Sequence, residues 1–290
     1  MLPSFTIVSC LNAILFLNLK PVIIDVDINT WCLNEKTIKD NFTSDIKAII
    51  YVHIFGNTDQ IDKIARFCKK KKIFLIEDCA ESMFTKYKNK LTGTFGDIST
   101  FSLYANKLIS SGEGGFTLTN KKLFNQRIKN FINLYFGKKD RFNHLDLGLN
   151  FRLSNVQASI AYEDLKLVNN YKKINNTIGY LYKKYLNTEK IIFQDLSKDL
   201  DHILWMQPIL FRKRVNIPKL QKILLNKGVD TRRLFKPLSS MTFLRRYKCI
   251  AKQCKNSKYI YNQGLYLPSG HDLNEKKIMY IANMVNKLVN

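Results

Sequence analysis

The chain has 290 residues, with 47 Lys and Arg against 23 Asp and Glu, a formal net charge of +24 and a pI near 9.7. Its 46% hydrophobic and 24% charged content can build a packed core and excludes extended disorder. The length suits about two domains at ~150 residues each, and no uninterrupted apolar run of ~18 residues is present to cross a membrane.

Taken in chain order, the N-terminal MLPSFTIVSCLNAILFLNLK is apolar. It lacks a basic leader segment and carries an early Pro3, which makes it a weak secretory signal; its apolar positions also suit a buried helix after a strand end. KPVIIDVD (20–27), IKAIIYVHIFG (46–56) and KKIFLIEDCA (71–80) are short β-branched runs ending in polar residues, with helical spacing between them. Continuous Val/Ile/Leu strands alternating with helices predict a mostly parallel sheet covered on both faces. Ligands of such sheets sit beyond the carboxyl ends of the strands, which would place Asp25, His53 and Asp78 near a cleft.

Two further strands are expected in GDISTFSLYA (96–105) and GGFTLTN (114–120), then a helix over about 121–135. A polar loop, FGKKDRFNHLDLGLNFR, leads to a long helical pattern over 154–186 with Ser154 as its N-cap; so long a pattern predicts a bent helix bridging two domains. From about 190 the chain reads as a small α+β unit, with strands near 203–212, a helix near 217–227 and a last helix near 273–288. The domains are thus expected at 1–165 and 166–290.

The basic excess makes nucleic acid or an acidic surface a first thought. It is lysine rather than arginine, however, and spread along the chain, and arginine is the better reader of phosphates and bases. The local runs Lys69–Lys72, Arg212–Arg214 and Arg245–Lys248 read as solvated helix faces or turns. No specific nucleic-acid partner is expected, although a phosphate-bearing substrate would be drawn by this field. The six cysteines (10, 32, 68, 79, 249 and 254) form no CxxC pair and do not cluster with the four histidines, so no zinc site is expected and the thiols read as reduced and cytoplasmic.

The residues with most chemical promise surround FSLYANKLISSGEGG (101–115). Lys107 lies between an aromatic run and a glycine turn. It is either an exposed loop lysine or a partly desolvated Schiff-base amine at a strand end. The glycines permit tight turns and close approach of a cofactor, but the order is not that of a P-loop, where the lysine follows the second glycine. Asp78 ends an apolar strand and is either a helix N-cap or a buried carboxylate with a cationic partner. Glu77 reads as solvated or structural. Ser102 either points into the same cleft or faces solvent, and Asn150 and Arg152 are either loop residues or ligand contacts.

Taken together and in order, PSFTIVSCLNAIL, KPVIIDVDINTW, YVHIFGN, IEDCAES, GTFGDISTFSLYANKLISSGEGGFTLTN, LGLNFRLSNVQASI, GVDTRRLFKPL and LYLPSG resemble the DegT/DnrJ/StrS family of sugar aminotransferases over nearly the whole chain. The run around Lys107 is similar to the perosamine synthase-like branch. The resemblance implies an α/β fold of the aspartate-aminotransferase type, with a mostly parallel sheet in the large domain and a small α+β C-terminal domain. It implies pyridoxal 5'-phosphate (PLP) as cofactor and transfer of an amino group, with glutamate as donor, to C4 of a nucleotide-linked 4-keto-6-deoxy sugar. GDP- and dTDP-linked acceptors both remain open. Lys107 matches the residue that anchors PLP and then moves the proton, and Asp78 matches the partner of the pyridine nitrogen. Ser102 matches a phosphate-binding hydroxyl, and Glu81 stands near the cofactor 3'-oxygen. Asn150 matches a phosphate ligand given by the neighbouring subunit of a homodimer. His53 belongs to an HxxG motif in which a structural role competes with substrate contact. Ile7 stands where many members have a ring-stacking aromatic. The resemblance also implies an N-terminal portion, with a Ser-Gly-Thr turn for the phosphate, ahead of Pro3, so the chain reads as a truncated form. Two other functional classes are weighed against this reading: a PLP-fold regulator or inactive partner subunit, and a basic nucleic-acid binder.

Overall fold

The structure is a computed structural model that describes residues 1–289. The first half alternates strands and helices: β1 (Leu2–Pro3), α1 (Ser9–Phe16), β2 (Val22–Ile24), α2 (Glu35–Asn41), β3 (Ala48–Val52), α3 (Ile61–Lys71) and β4 (Phe74–Asp78). A small hairpin, β5 (Lys86–Tyr87) and β6 (Lys90–Leu91), precedes β7 (Ile98–Ser102) and β8 (Gly115–Leu118). Then come α4 (Lys122–Phe131), α5 (Asn155–Leu165) and α6 (Val168–Tyr185). The last part holds β9 (Ile191–Ile192), β10 (Leu200–Asp201), β11 (Gln207–Phe211), α7 (Ile217–Leu225), β12 (Arg232–Arg233), β13 (Ile250–Ala251), α8 (Lys255–Gln263), β14 (Gly264–Leu267) and α9 (Glu275–Leu288).

The central sheet has the order β3-β4-β7-β8, parallel except for β8, which runs antiparallel to β7. A second sheet, β1-β2-β13, is parallel throughout. Met1 joins the two: its ammonium donates to the carbonyl of Ala48 at 2.8 Å and its carbonyl accepts from the amide of Ile50 at 2.9 Å. β13, far along the chain, thereby extends the sheet begun at the N-terminus. The small sheet, β12-β14-β11-β9, is antiparallel.

Two apolar cores follow from this division. One lies around β1–β4 and includes Phe5, Trp31, Tyr51 and Phe55, together with Leu234, Leu238 and Ile260 from the last third of the chain. The other is built from α6, α7, α9 and the small sheet, with Ile178, Tyr182, Phe211, Leu224 and Val285. In α3 the buried residues Ile61, Ile64, Phe67 and Cys68 recur at helical spacing, while Lys69, Lys70 and Lys71 fill the last turn. There they complement the negative end of the helix, which accounts for one of the basic runs.

The long pattern over 154–186 breaks into α5 and α6 at Lys166–Leu167. Ser154 caps α5 as expected, within a capping box: its Oγ accepts from the amide of Gln157, whose side chain reaches back to the amide of Ser154. Asp25 does not face a cleft. Its carboxylate accepts from the amides of Asn256 and Ser257 at 2.8 and 2.9 Å and from Ser257 Oγ at 2.6 Å. It thus satisfies the free N–H groups of the first turn of α8, a long-range substitute for the missing side-chain cap at Cys254. No periodicity near Asp25 could have announced a partner more than two hundred residues away. No helix among the described residues is long and apolar enough to cross a membrane.

Candidate active site

The carboxyl ends of β4 and β7 carry the candidate site. β4 delivers Asp78, and the turn after it delivers Glu81. β7 ends at Ser102, and the following loop returns through Lys107 to β8. That loop is pinned by backbone bonds from Ala105 to Gly112, Ser111 to Leu103 and Leu103 to Gly114, each at 2.9 Å. The glycines serve the backbone here. Gly112 and Gly114 have φ of +80° and +123°, and a Cβ on Gly115 would come within 2.4 Å of the carbonyl of Phe101.

Lys107 lies against the face of Trp205, its Nζ 3.8 Å from the ring centroid. The Trp205 Nε1–H donates to the carbonyl of Asn106 at 2.8 Å, which fixes the indole to the lysine loop. Glu81, Ser102, Lys107 and Trp205 line one narrow recess. Beyond it, Lys107 and Trp205 open onto a cleft of about 440 Å³ whose other walls come from α6, the β12 region and the segment after β14. Burial lowers the pKa of the Lys107 amine, and the charges of Glu81 and Asp78 pull it back up. The amine makes no hydrogen bond or ion pair among the described residues. Such a group is partly desolvated and free to react.

Glu81 is nearly fully buried, and its Oε2 accepts from the amide of Phe55 at 2.7 Å. Phe55 has φ of +55°, a strained value for a phenylalanine. The strain is held at both ends, since the carbonyl of Phe55 also bonds His202 Nε2 at 3.0 Å. Burial pushes the Glu81 carboxyl up to about 7, against the charge of Lys107 and the Phe55 amide, with Asp78 adding to the rise. A carboxyl raised in the folded state favours folding fully below its ordinary value of 4.5. That contribution fades as the pH climbs through about 7. Glu81→Gln is therefore expected to flatten the loss of stability between about pH 5 and 8, measured as the denaturation midpoint across that range. A slope identical to wild type would overturn this account.

The Asp78 Oδ1 accepts from the amide of Ala80 at 3.0 Å, and no helix follows it, so it is not a helix cap. Its Oδ2 accepts from Cys10 Sγ at 3.0 Å. Burial, followed by the charge and hydrogen bond of Asp78, raises the Cys10 thiol pKa far above the ordinary range. Ser102 Oγ accepts from the amide of Tyr104 at 3.2 Å.

His53 is fully buried and does not reach the cleft. Its Nε2 bonds Glu77 Oε2 at 3.0 Å, and its Nδ1 meets Thr58 Oγ1. Glu77 is not solvated: it is fully buried and accepts from the amides of Gly93, Phe95 and Gly96 as well as from His53. The ligand atoms of His53, Glu77 and Cys79 lie within 4.8 Å of one another, but the hydrogen bonds of His53 and Glu77 already saturate them. Asn150 is exposed, its Oδ1 accepting from Arg152 Nε at 3.0 Å, and it does not line the cleft. The structure thus brings together Asp78, Glu81, Ser102 and Lys107 and leaves Asn150 outside. Trp205, Asn175 and Thr231 of the cleft went unremarked in the sequence; Trp205, one of two tryptophans, was the only one with a compositional signal.

The residues present fit PLP. The unpaired, desolvated Lys107 amine is the donor needed for a covalent anchor, and a carboxylate at the adjacent strand end suits a protonated ring nitrogen. Comparison with known proteins agrees. Residues 1–286 match the sequence pattern of the DegT/DnrJ/EryC1/StrS aminotransferase family. The chain is 32% identical to GDP-perosamine synthase of Escherichia coli O157:H7 over 98% of its own length and 77% of that protein. It is 27% identical to GDP-perosamine synthase of Vibrio cholerae over 99% of this chain and 79% of that one. Among solved structures, Helicobacter pylori PseC, an aminotransferase involved in the biosynthesis of pseudoaminic acid, superposes with a TM-score of 0.92 at 23% identity. That superposition covers 99% of this chain and 78% of PseC, which establishes the aminotransferase fold expected from the sequence.

Proposed function

We propose that this chain, which belongs to the DegT/DnrJ/EryC1/StrS aminotransferase family, transfers the amino group of glutamate to the 4-keto carbon of a nucleotide-linked 6-deoxy sugar. Its cofactor is PLP, as the family's is. The observation that carries the reading is the Lys107 amine: desolvated, unpaired, beside Asp78 and Glu81, and open to a cleft large enough for a sugar. The names of the relatives, GDP-perosamine synthases among them, support the acceptor class.

PLP supplies the electron sink that makes a C–H bond next to nitrogen acidic. The chain's own groups do the rest. Lys107 would anchor the cofactor, and its amine, when free, would take the proton from the donor carbon and deliver one to C4 of the sugar. Asp78 would hold a proton at the ring nitrogen, its Oδ2 oriented by the Cys10 thiol. Ser102 Oγ serves the phosphate. Trp205 covers the amine and keeps it from bulk water. Across the reaction glutamate becomes 2-oxoglutarate and the ketone becomes an amine, so the exchange balances without an external oxidant or reductant.

The partner and compartment belong to the same reading. Asn150 sits among the exposed apolar side chains Leu147, Leu149 and Phe151, a setting that supports its delivery to a second subunit of a homodimer. The free cysteines support a cytoplasmic enzyme.

Incubation of the protein with PLP, L-glutamate and either GDP-4-keto-6-deoxymannose or dTDP-4-keto-6-deoxyglucose tests the assignment. The expected result is one amino sugar per 2-oxoglutarate from one of the two acceptors, by mass spectrometry. Absence of amino sugar with both would overturn it.

A further inference from the structure

Phe55 is held by its two backbone groups, between the candidate site and the segment that joins β10 to β11. Its amide donates to Glu81 Oε2 at 2.7 Å, and its carbonyl accepts from His202 Nε2 at 3.0 Å. Between these bonds the residue takes φ +55° and ψ +27°. This left-handed conformation is unfavourable for a residue with a Cβ and persists only where its surroundings enforce it. The ring cannot turn to relieve it. It is fully buried among Phe5, Trp31, Trp205 and Phe235, at centroid distances of 5.8 to 6.2 Å. A return to an ordinary φ would therefore swing the backbone, and the amide would leave Glu81.

His202 is placed for this task by its own neighbours. Its carbonyl accepts from Asn176 Nδ2 of α6 at 3.2 Å. A Cβ on Gly56 would come within 2.6 Å of the carbonyl of Ile203 and 3.1 Å of His202 Nε2, so the 202–203 segment lies directly on the Phe55–Gly56 turn. A carbonyl only accepts, so Nε2 carries the proton. Burial lowers the pKa of the ring to about 4; the Phe55 carbonyl and Asp201 oppose the fall, and Lys183 adds to it. The ring is therefore neutral at neutral pH, and the Nε2–H tautomer is kept by the bond it makes.

On the other side of Phe55, Glu81 has an oxygen to spare. Among the described residues only its Oε2 is hydrogen-bonded, and the residue is 9% exposed, lining the recess it shares with Ser102 and Lys107. The Phe55 amide is thus the hydrogen bond that sets where this carboxyl points. We propose that His202 is a positioning residue: by holding the Phe55 carbonyl it aims the Phe55 amide at Glu81, and so fixes the carboxyl that meets the cofactor beside Lys107. This inference rests on the reading of Asp78, Glu81 and Lys107 as the PLP site.

Absorbance titration of the PLP-free protein with PLP, read beside the melting temperature, tests it. His202→Leu removes the donor and is expected to weaken PLP binding by at least ~10-fold. His202→Gln, whose amide can stand in for the Nε2–H, is expected to bind within ~3-fold of wild type. In a Glu81→Ala background there is no carboxyl to aim, and adding His202→Leu is expected to change PLP affinity by less than ~2-fold. A role confined to stability would instead give the same loss in both backgrounds. That result would overturn the positioning role alone, as would a His202→Gln variant as weak as His202→Leu. If His202→Leu does not fold, His202→Asn, whose amide stops short of Phe55, takes its place in the same comparison. A wild type that takes up no PLP would overturn the cofactor site and this inference with it.

Discussion

Lys107→Ala is expected to abolish covalent retention of PLP and to lower turnover by at least ~10³-fold, within the range that a positioned acid–base group contributes. Borohydride treatment of the loaded wild type should fix the cofactor to the peptide containing Lys107, and the variant should show no fixed cofactor. The fold should not suffer. The amine makes no ion pair among the described residues, its contact with the face of Trp205 at 3.8 Å is worth ~2 kcal/mol at a desolvated site, and removing the buried charge offsets part of that loss. Stability and activity are thus separated at one residue: a variant that melts like wild type but retains no cofactor is the predicted outcome. Fixed cofactor at wild-type stoichiometry in the variant would assign the anchor elsewhere.

Glu77→Gln is expected to reach the opposite result, a loss of stability with its cause far from the reacting atoms. The carboxylate is fully buried and serves four donors: the Gly93, Phe95 and Gly96 amides and the His53 ring. A glutamine offers one acceptor oxygen and turns an N–H₂ toward the remaining donors. Disrupting a buried charged network in this way costs ~3–5 kcal/mol, or roughly a 10 °C fall in melting temperature for a chain of this size. Burial alone would raise the pKa of Glu77. The hydrogen bond and charge of His53, and the Gly96 and Gly93 amides, outweigh it and hold the carboxyl below its ordinary value. Its contribution is therefore present above the ordinary carboxylate range and lost on acidification. Wild type should lose this contribution as the pH falls below about 4.5, while Glu77→Gln should not. Equal melting temperatures at neutral pH would overturn the structural role.

The opposite fates of Glu77 and Asp78 show where sequence reading reaches its limit. The two carboxylates are adjacent at the end of β4. Strand alternation sends one into the sheet against His53 and the other toward Lys107. The sequence offers the pair, and the pleat decides which faces the candidate site. Asp25 makes the same point over a longer distance, because its strand-end position resembles that of Asp78 yet it binds the first turn of α8.

By itself, the sequence determined what is local or ordered along the chain. Apolar runs marked the parallel strands, helical spacing marked α3, Ser154 marked the start of α5, and the succession of motifs marked the family. These are readable because periodicity and capping depend on residues within a few positions of one another. Only the tertiary structure decided the rest. It joined β13 to the N-terminal sheet and set Trp205 over Lys107. Contacts between residues a hundred positions apart leave no period in the sequence; they arise when elements distant in the chain bury their apolar faces together and bring their polar edges to a common opening.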